Sequence, residues 1–129
     1  MNEDAQPPRT PLVAVVDDDE SVRESVPALL RCRHCEVCTF SSAIEFLSSG
    51  ALAAVDCLVL DIAMPQMTGL ELQKELLARG NQIPIVFITA LGDRATRTQI
   101  LETGAIDCLL KPFSAEALLQ AVEQALKPR

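Results

Sequence analysis

Four apolar runs in this chain each end in a side chain that can do chemistry. Leu12-Val13-Ala14-Val15-Val16 leads into Asp17-Asp18, and Cys57-Leu58-Val59-Leu60 leads into Asp61. Ile85-Val86-Phe87-Ile88 leads into Thr89, and Cys108-Leu109-Leu110 leads into Lys111-Pro112-Phe113. In an open parallel sheet the carboxyl ends of the strands line one edge, and ligands bind there. Asp17, Asp18 and Asp61, the Thr89 hydroxyl and the Lys111 ammonium would then share one crevice. Carboxylates this close repel each other unless a hard cation lies between them. Mg²⁺ suits such oxygen donors, and Mn²⁺ is its substitute.

The elements needed to position these groups are legible in the rest of the chain. Strands are expected over Leu12 to Asp17, Glu36 to Phe40, Cys57 to Leu60, Pro84 to Ile88 and Asp107 to Leu110. Several of these are short continuous apolar runs, the pattern of strands covered by helices on both faces. A first helix is expected from Glu20 to Arg31, with Pro27 inside it. An interior proline removes a hydrogen bond, so a kink or an offset at the first turn is expected there. A second helix starts at an expected capping box, Ser42 with Glu45, and a third at Thr68 with Glu71, ending near Gly80. A fourth starts after Gly92-Asp93 and stops before Gly104, and a fifth runs from behind Ser114 to about Leu126. Strict alternation of strand and helix predicts right-handed crossovers and a single doubly wound (βα)5 domain. The expected strand order is 2-1-3-4-5, the common small version of this α/β fold.

Bulk properties narrow the function. The chain has 129 residues, enough for one domain with a core. A net charge of −7 argues against nonspecific nucleic-acid binding. No apolar stretch approaches the roughly 18 residues of a membrane span. Met1 to Pro11 is polar and proline-rich, lacks the layout of a secretory signal and reads as a disordered leader. Cytoplasmic residence is expected. Five cysteines in such a chain are expected to be reduced. Three of them flank the single histidine in Cys32-Arg33-His34-Cys35-Glu36-Val37-Cys38. That spacing leaves two readings open: a zinc or iron–sulfur site, or small apolar residues at a helix end and a strand.

Val16-Asp17-Asp18, Leu60-Asp61-Ile62-Ala63-Met64-Pro65-Gln66-Met67-Thr68-Gly69, Thr89-Ala90 and Lys111-Pro112-Phe113 occur in order at successive strand ends. With them the chain resembles the receiver domain of two-component response regulators, over about Leu12 to Leu126. The Asp61-to-Gly69 stretch and the closing Lys-Pro-Phe look most like FixJ-type regulators. The resemblance implies a flavodoxin-like or CheY-like receiver spanning residues 12–127, phosphorylated by a histidine kinase. It implies that Asp61 is the phosphoacceptor and that Asp17, Asp18, Asp61 and the backbone carbonyl of Ala63 hold Mg²⁺. Thr89 would bond the phosphoryl group, Lys111 would pair with it, and Lys111-Pro112 would be a cis peptide bond. Such domains catalyse only their own phosphorylation and dephosphorylation. They change their interaction surface near helix 4, strand 5 and helix 5, where a homodimer can form on phosphorylation.

Three positions depart from the pattern. Where many receivers carry a Tyr or Phe that swings inward, this chain has Cys108, with no ring to swing. Ala63 and Leu91 stand where side chains influence the water that attacks the acyl phosphate, and neither offers it a hydrogen bond. The sequence stops at Arg129, whereas FixJ-type regulators continue into a DNA-binding domain that controls transcription. Two other functions fit parts of the sequence. One is a constitutive, non-switching interaction module, suggested by Cys108. The other is a Mg²⁺-dependent phosphatase, suggested by the Asp17-x-Asp19-x-Ser21 pattern, with Asp17 as nucleophile and Asp19 as acid.

Overall fold

Each apolar run becomes a strand, and the stretches between become helices that cover the sheet on both sides. The computed structural model describes residues 10–90 and 94–127, residue 94 by its backbone alone. The elements are β1 (Leu12–Val16), α1 (Glu20–Arg31), β2 (Glu36–Phe40), α2 (Ala43–Ser48), β3 (Cys57–Asp61) and α3 (Gly69–Ala78). There follow β4 (Ile85–Thr89), α4 (Arg94–Glu102), β5 (Asp107–Leu110) and α5 (Ala115–Leu126). The five strands are parallel and ordered β2-β1-β3-β4-β5, as the alternation predicts. Leu91, the expected start of the fourth helix after Gly92-Asp93, and leader residues 1–9 lie outside the described residues.

The register sets the site. Val16 pairs with Leu60, Asp61 with Ile88, and Thr89 with Leu110. Asp17, Asp61, Thr89 and Lys111 therefore emerge side by side at the carboxyl edge. Side chains alternate across the sheet, and the two faces build two cores. On one face Ala14, Val16, Leu58, Leu60 and Phe87 pack with Phe46 of α2, Leu72 and Leu76 of α3 and Ile100 of α4. On the other, Val13, Val15, Val59, Val86 and Ile88 pack with Val22, Val26 and Leu30 of α1 and Leu118 and Val122 of α5. Each such side chain contributes about 1.5–3 kcal/mol through burial, which keeps the strands, and hence their ends, in register.

Helix termini are capped mostly as the sequence indicates. Asp19 caps α1 by accepting from the Ser21 N–H at 2.9 Å and the Ser21 hydroxyl at 2.8 Å. The box at α3 is complete: Glu71 N–H donates to Thr68 Oγ1 at 3.2 Å and Thr68 N–H donates to Glu71 Oε1 at 2.9 Å. The box expected at α2 forms in one direction only. Glu45 N–H donates to Ser42 Oγ, but Glu45 Oε1 accepts from Ser41, from its N–H at 2.6 Å and its hydroxyl at 3.0 Å. Ser41 offers that oxygen two donors where the Ser42 main chain offers one. At the far end of α3, Gly80 has φ +74°, and the N–H groups of Gly80 and Asn81 donate to the carbonyls of Leu77 and Leu76. This left-handed stop is one that glycine adopts without penalty.

Pro27 lies inside α1, where the sequence places it. α1 runs unbroken from Glu20 to Arg31, so the helix is not offset to place proline in its first turn. Pro27 is buried there. Strand ends also move by one residue. β1 stops at Val16 and β4 begins at Ile85, because Pro84 has no N–H and joins the sheet only through its carbonyl, which accepts from Leu58. A short 3-10 turn, Ala51–Ala53, which the sequence reading leaves unassigned, bridges α2 to β3. No described helix is long and apolar enough to cross a membrane.

The start of α3 packs directly on the main chain of the acidic strand end. A Cβ added to Gly69 would lie 2.4 Å from the Asp61 carbonyl oxygen and 3.0 Å from Ile62 Cα. Both neighbours are backbone, so α3 or the end of β3 would have to move. Gly69→Ala is expected to destabilise the fold by about 1–3 kcal/mol, the usual cost of overpacking, as read by urea unfolding. Unchanged stability would show that the contact is not tight.

Candidate functional site

Asp17 follows β1, Asp61 ends β3, Thr89 ends β4 and Lys111 follows β5, so four neighbouring strands deliver the polar groups. Asp17, Asp61 and Thr89 are buried, and Asp18 is exposed at the rim. Carboxylate oxygens of Asp17, Asp18 and Asp61 all lie within 4.8 Å of one another. Among the described residues they are the only group of three or more such side chains placed to share a metal ion. Lys111 Nζ stands 2.9 Å from Asp17 Oδ2 and 3.7 Å from Asp61 Oδ2. The Lys111-Pro112 peptide bond is cis, as the resemblance implies.

Asp17 is the most constrained of the set. Its N–H donates to the Phe40 carbonyl at 3.1 Å, and its Oδ1 accepts from the Asp19 N–H at 2.9 Å. Its own carbonyl accepts from Arg23 Nη1 at 2.8 Å. Asp17 Oδ2 is fully buried and makes no aligned hydrogen bond; its contact with Lys111 is an ion pair out of line for one. A buried carboxylate oxygen in that state is costly unless charge arrives to meet it.

The charges do not balance. Burial, then the nearby Asp17 carboxylate, pushes the Asp61 carboxyl up to about 7, against the pull of Lys111. Burial works against the Lys111 charge, yet the close contact with Asp17 and the fields of Asp17, Asp61 and Asp19 outweigh it and hold the ammonium above its ordinary value. The site thus holds its single cation firmly and its phosphoacceptor candidate reluctantly charged.

Ala63 lies exposed in the loop after β3, between the buried side chains of Ile62 and Met64. Those two anchor the loop, and Gln66 turns it with φ +72° before α3 begins. Two residues that the sequence reading leaves without a role matter here. Gly69 lets α3 touch the Asp61 main chain, and Arg23 reaches from α1 to the Asp17 carbonyl. Gly69 stands in the motif and its spacing is a signal; an arginine on an amphipathic helix gives none.

Asp19 does not support acid catalysis. Its carboxylate accepts from the Ser21 hydroxyl and N–H as the helix cap, and these bonds hold its carboxyl below the ordinary range. The cysteine cluster is pulled apart by the fold. Cys35 is buried in the core under α1 and α5, Cys38 packs against the core on the opposite face, and Cys32 is exposed. His34 is exposed with φ +64° in the turn between them. Cys108 is buried among the residues under α3 and α4, where burial raises its thiol.

Similarity to known proteins agrees with this geometry. A model of the response regulator receiver domain matches residues 13–123. The chain is 43% identical over 116 residues to the response regulator protein TmoT of Ectopseudomonas mendocina, covering 90% of this chain and 53% of TmoT. It is 40% identical over 114 residues to the transcriptional regulatory protein FixJ of Azorhizobium caulinodans, covering 88% of this chain and 54% of FixJ. The solved structure of the response regulator StyR is similar at a TM-score of 0.83 and 50% identity, covering 92% of this chain and 60% of that one. The chain spans about half the length of the curated relatives it matches. By its sheet order, by the acidic cluster and lysine at its carboxyl edge, and by these matches, the chain belongs to the receiver-domain family of two-component response regulators.

Proposed function

We propose that this domain takes a phosphoryl group from a histidine kinase onto Asp61 in the presence of Mg²⁺. The observation that carries the reading is the cluster of three carboxylates, Asp17 buried among them, that shares a single ammonium. All the donors are hard oxygens, which fits Mg²⁺ or Mn²⁺ and not a soft metal. Asp17, Asp18, Asp61 and the Ala63 carbonyl would hold it. When bound, the cation supplies the positive charge that offsets the carboxylates and the incoming phosphoryl oxygens.

The chain's own residues do the rest. An Asp61 carboxylate oxygen attacks phosphorus while the bond from phosphorus to the donor breaks, and the donor leaves with that electron pair. Lys111 is already within 3.7 Å of Asp61 and gives the transferred group a point charge to pair with. Thr89, at the end of β4, supplies a hydroxyl to a phosphoryl oxygen. Ala63 gives an attacking water no polar handle, which favours a long-lived acyl phosphate. The chain catalyses only its own phosphorylation and its loss.

The readout does not use a ring. Arg97 of α4 donates through Nε to the Cys108 carbonyl at 3.1 Å and pairs through Nη2 with Asp107 at 2.9 Å. α4 is thus tied to β5 by the main chain, whatever side chain stands at position 108. The response then runs through Thr89 and the segment that follows it to the surface of α4, β5 and α5. That surface is where we place a phosphorylation-dependent homodimer. The relatives named as transcriptional regulators suggest control of transcription through a DNA-binding domain elsewhere in the protein, in the cytoplasm.

Acetyl phosphate with Mg²⁺ is expected to add one phosphoryl group to the wild type, read by intact mass. Asp61→Asn and EDTA should each abolish it; labelling that survives either refutes the assignment. Cys108→Ala should leave any phosphorylation-dependent association unchanged. If instead association is equal with and without a phosphoryl mimic in the wild type, the domain is a constitutive module.

Stability gives an independent check. The Asp61 carboxyl is raised in the fold, so its protonated form is the favoured one. The stability linked to it is full below its unfolded value near 3.8 and is lost as pH rises through about 7. Metal-free Asp61→Asn is therefore expected to melt higher than wild type at pH 8, with the difference shrinking toward pH 4. A variant that melts lower at pH 8 would contradict the repulsion.

A further inference from the structure

The acidic pair has one member, Asp18, that packing does not hold. Asp18 is exposed, so its direction is set by the main chain on either side of it. The peptide plane between Asp17 and Asp18 carries the Asp17 carbonyl and the Asp18 N–H as one rigid unit. Holding that carbonyl oxygen fixes ψ at Asp17 and φ at Asp18, and with them the direction in which Asp18 leaves the chain. The group that holds it is Arg23, half-buried in the first turn of α1, whose Nη1 donates to the Asp17 oxygen at 2.8 Å. Arg23 is itself fixed at its main chain, where its N–H donates to the Asp19 carbonyl at 3.2 Å. Its charge also reaches Glu45 at the start of α2, whose carboxyl the Ser41 bonds chiefly and Arg23 in smaller part hold below the ordinary value. A planar fork on a fixed helix is a stiff strut.

We propose that Arg23 is a positioning residue for cation binding, acting through the Asp17 carbonyl to aim Asp18 into the site. This role presupposes the Mg²⁺ site of Asp17, Asp18 and Asp61. Charge and geometry make opposite predictions for it. A positive guanidinium beside the pocket repels a cation, so on charge alone its removal tightens Mg²⁺ binding. As a strut, its removal loosens binding, by about tenfold if it acts as outer partners of metal ligands generally do.

The test is a Mg²⁺ titration of the metal-free chain followed by amide NMR shifts. Arg23→Ala and Arg23→Gln are each expected to raise the Kd for Mg²⁺ about tenfold. Arg23→Lys, which keeps a charged donor, should bind more tightly than Arg23→Ala. Equal or tighter binding in Arg23→Ala and Arg23→Gln, or weaker binding in Arg23→Lys than in Arg23→Ala, overturns the proposal. If Arg23→Ala does not fold, Arg23→Gln makes the same comparison with wild type. A wild type that binds Mg²⁺ no better than Asp18→Asn removes the metal site itself, a failure distinct from that of Arg23.

Discussion

The ion pair between Lys111 and Asp17 is the contact on which the site depends. Its partners come from the ends of β5 and β1, which are not neighbours; β3 and β4 lie between them. The pair therefore spans the sheet edge and passes over Asp61 and Thr89 on the way. Burying an unpaired carboxylate costs several kcal/mol, so Asp17 at zero exposure requires Lys111 to be in place. Lys111 in turn is held only if β5 keeps its register with β4 and the two cores keep the sheet closed. A local charge pair thus draws on the packing of the whole domain.

That pair is stabilising and still incomplete. One ammonium faces three carboxylates, and burial first and the Asp17 charge second push the Asp61 carboxyl up to about 7. The fold holds this imbalance because the surrounding apolar layers stabilise the domain by far more than the imbalance costs. Such cost concentrated at one edge is characteristic of functional sites. A cation would relieve it by adding positive charge, whereas an acyl phosphate on Asp61 would bring further negative charge and deepen the need for that cation. Gly69 allows α3 to start against the Asp61 main chain and so supports the end of β3.

Most of the architecture was readable from residue order. Continuous apolar runs gave the strands, Ser42, Thr68 and Ser114 gave the starts of α2, α3 and α5, and strict alternation gave the sheet order. The side chains at strand ends were readable for the same reason: a strand end fixes its next residue at the sheet edge. What escaped the reading were features decided by tertiary contact. Glu45 chose two donors on Ser41 over one on Ser42. The cysteines around His34 are spaced for metal but separated by the sheet, one on each face and one in solvent. Arg23 carries no mark in the sequence, since only the position of a carbonyl in space gives it a role.

Thermal melting of the metal-free chain with increasing Mg²⁺ tests the central claim most directly. If the edge stores like-charge repulsion that a cation relieves, melting rises with Mg²⁺ by mass action. The rise is then absent in Asp17→Asn/Asp18→Asn. An equal rise in wild type and the double variant, or none in wild type, would contradict the account.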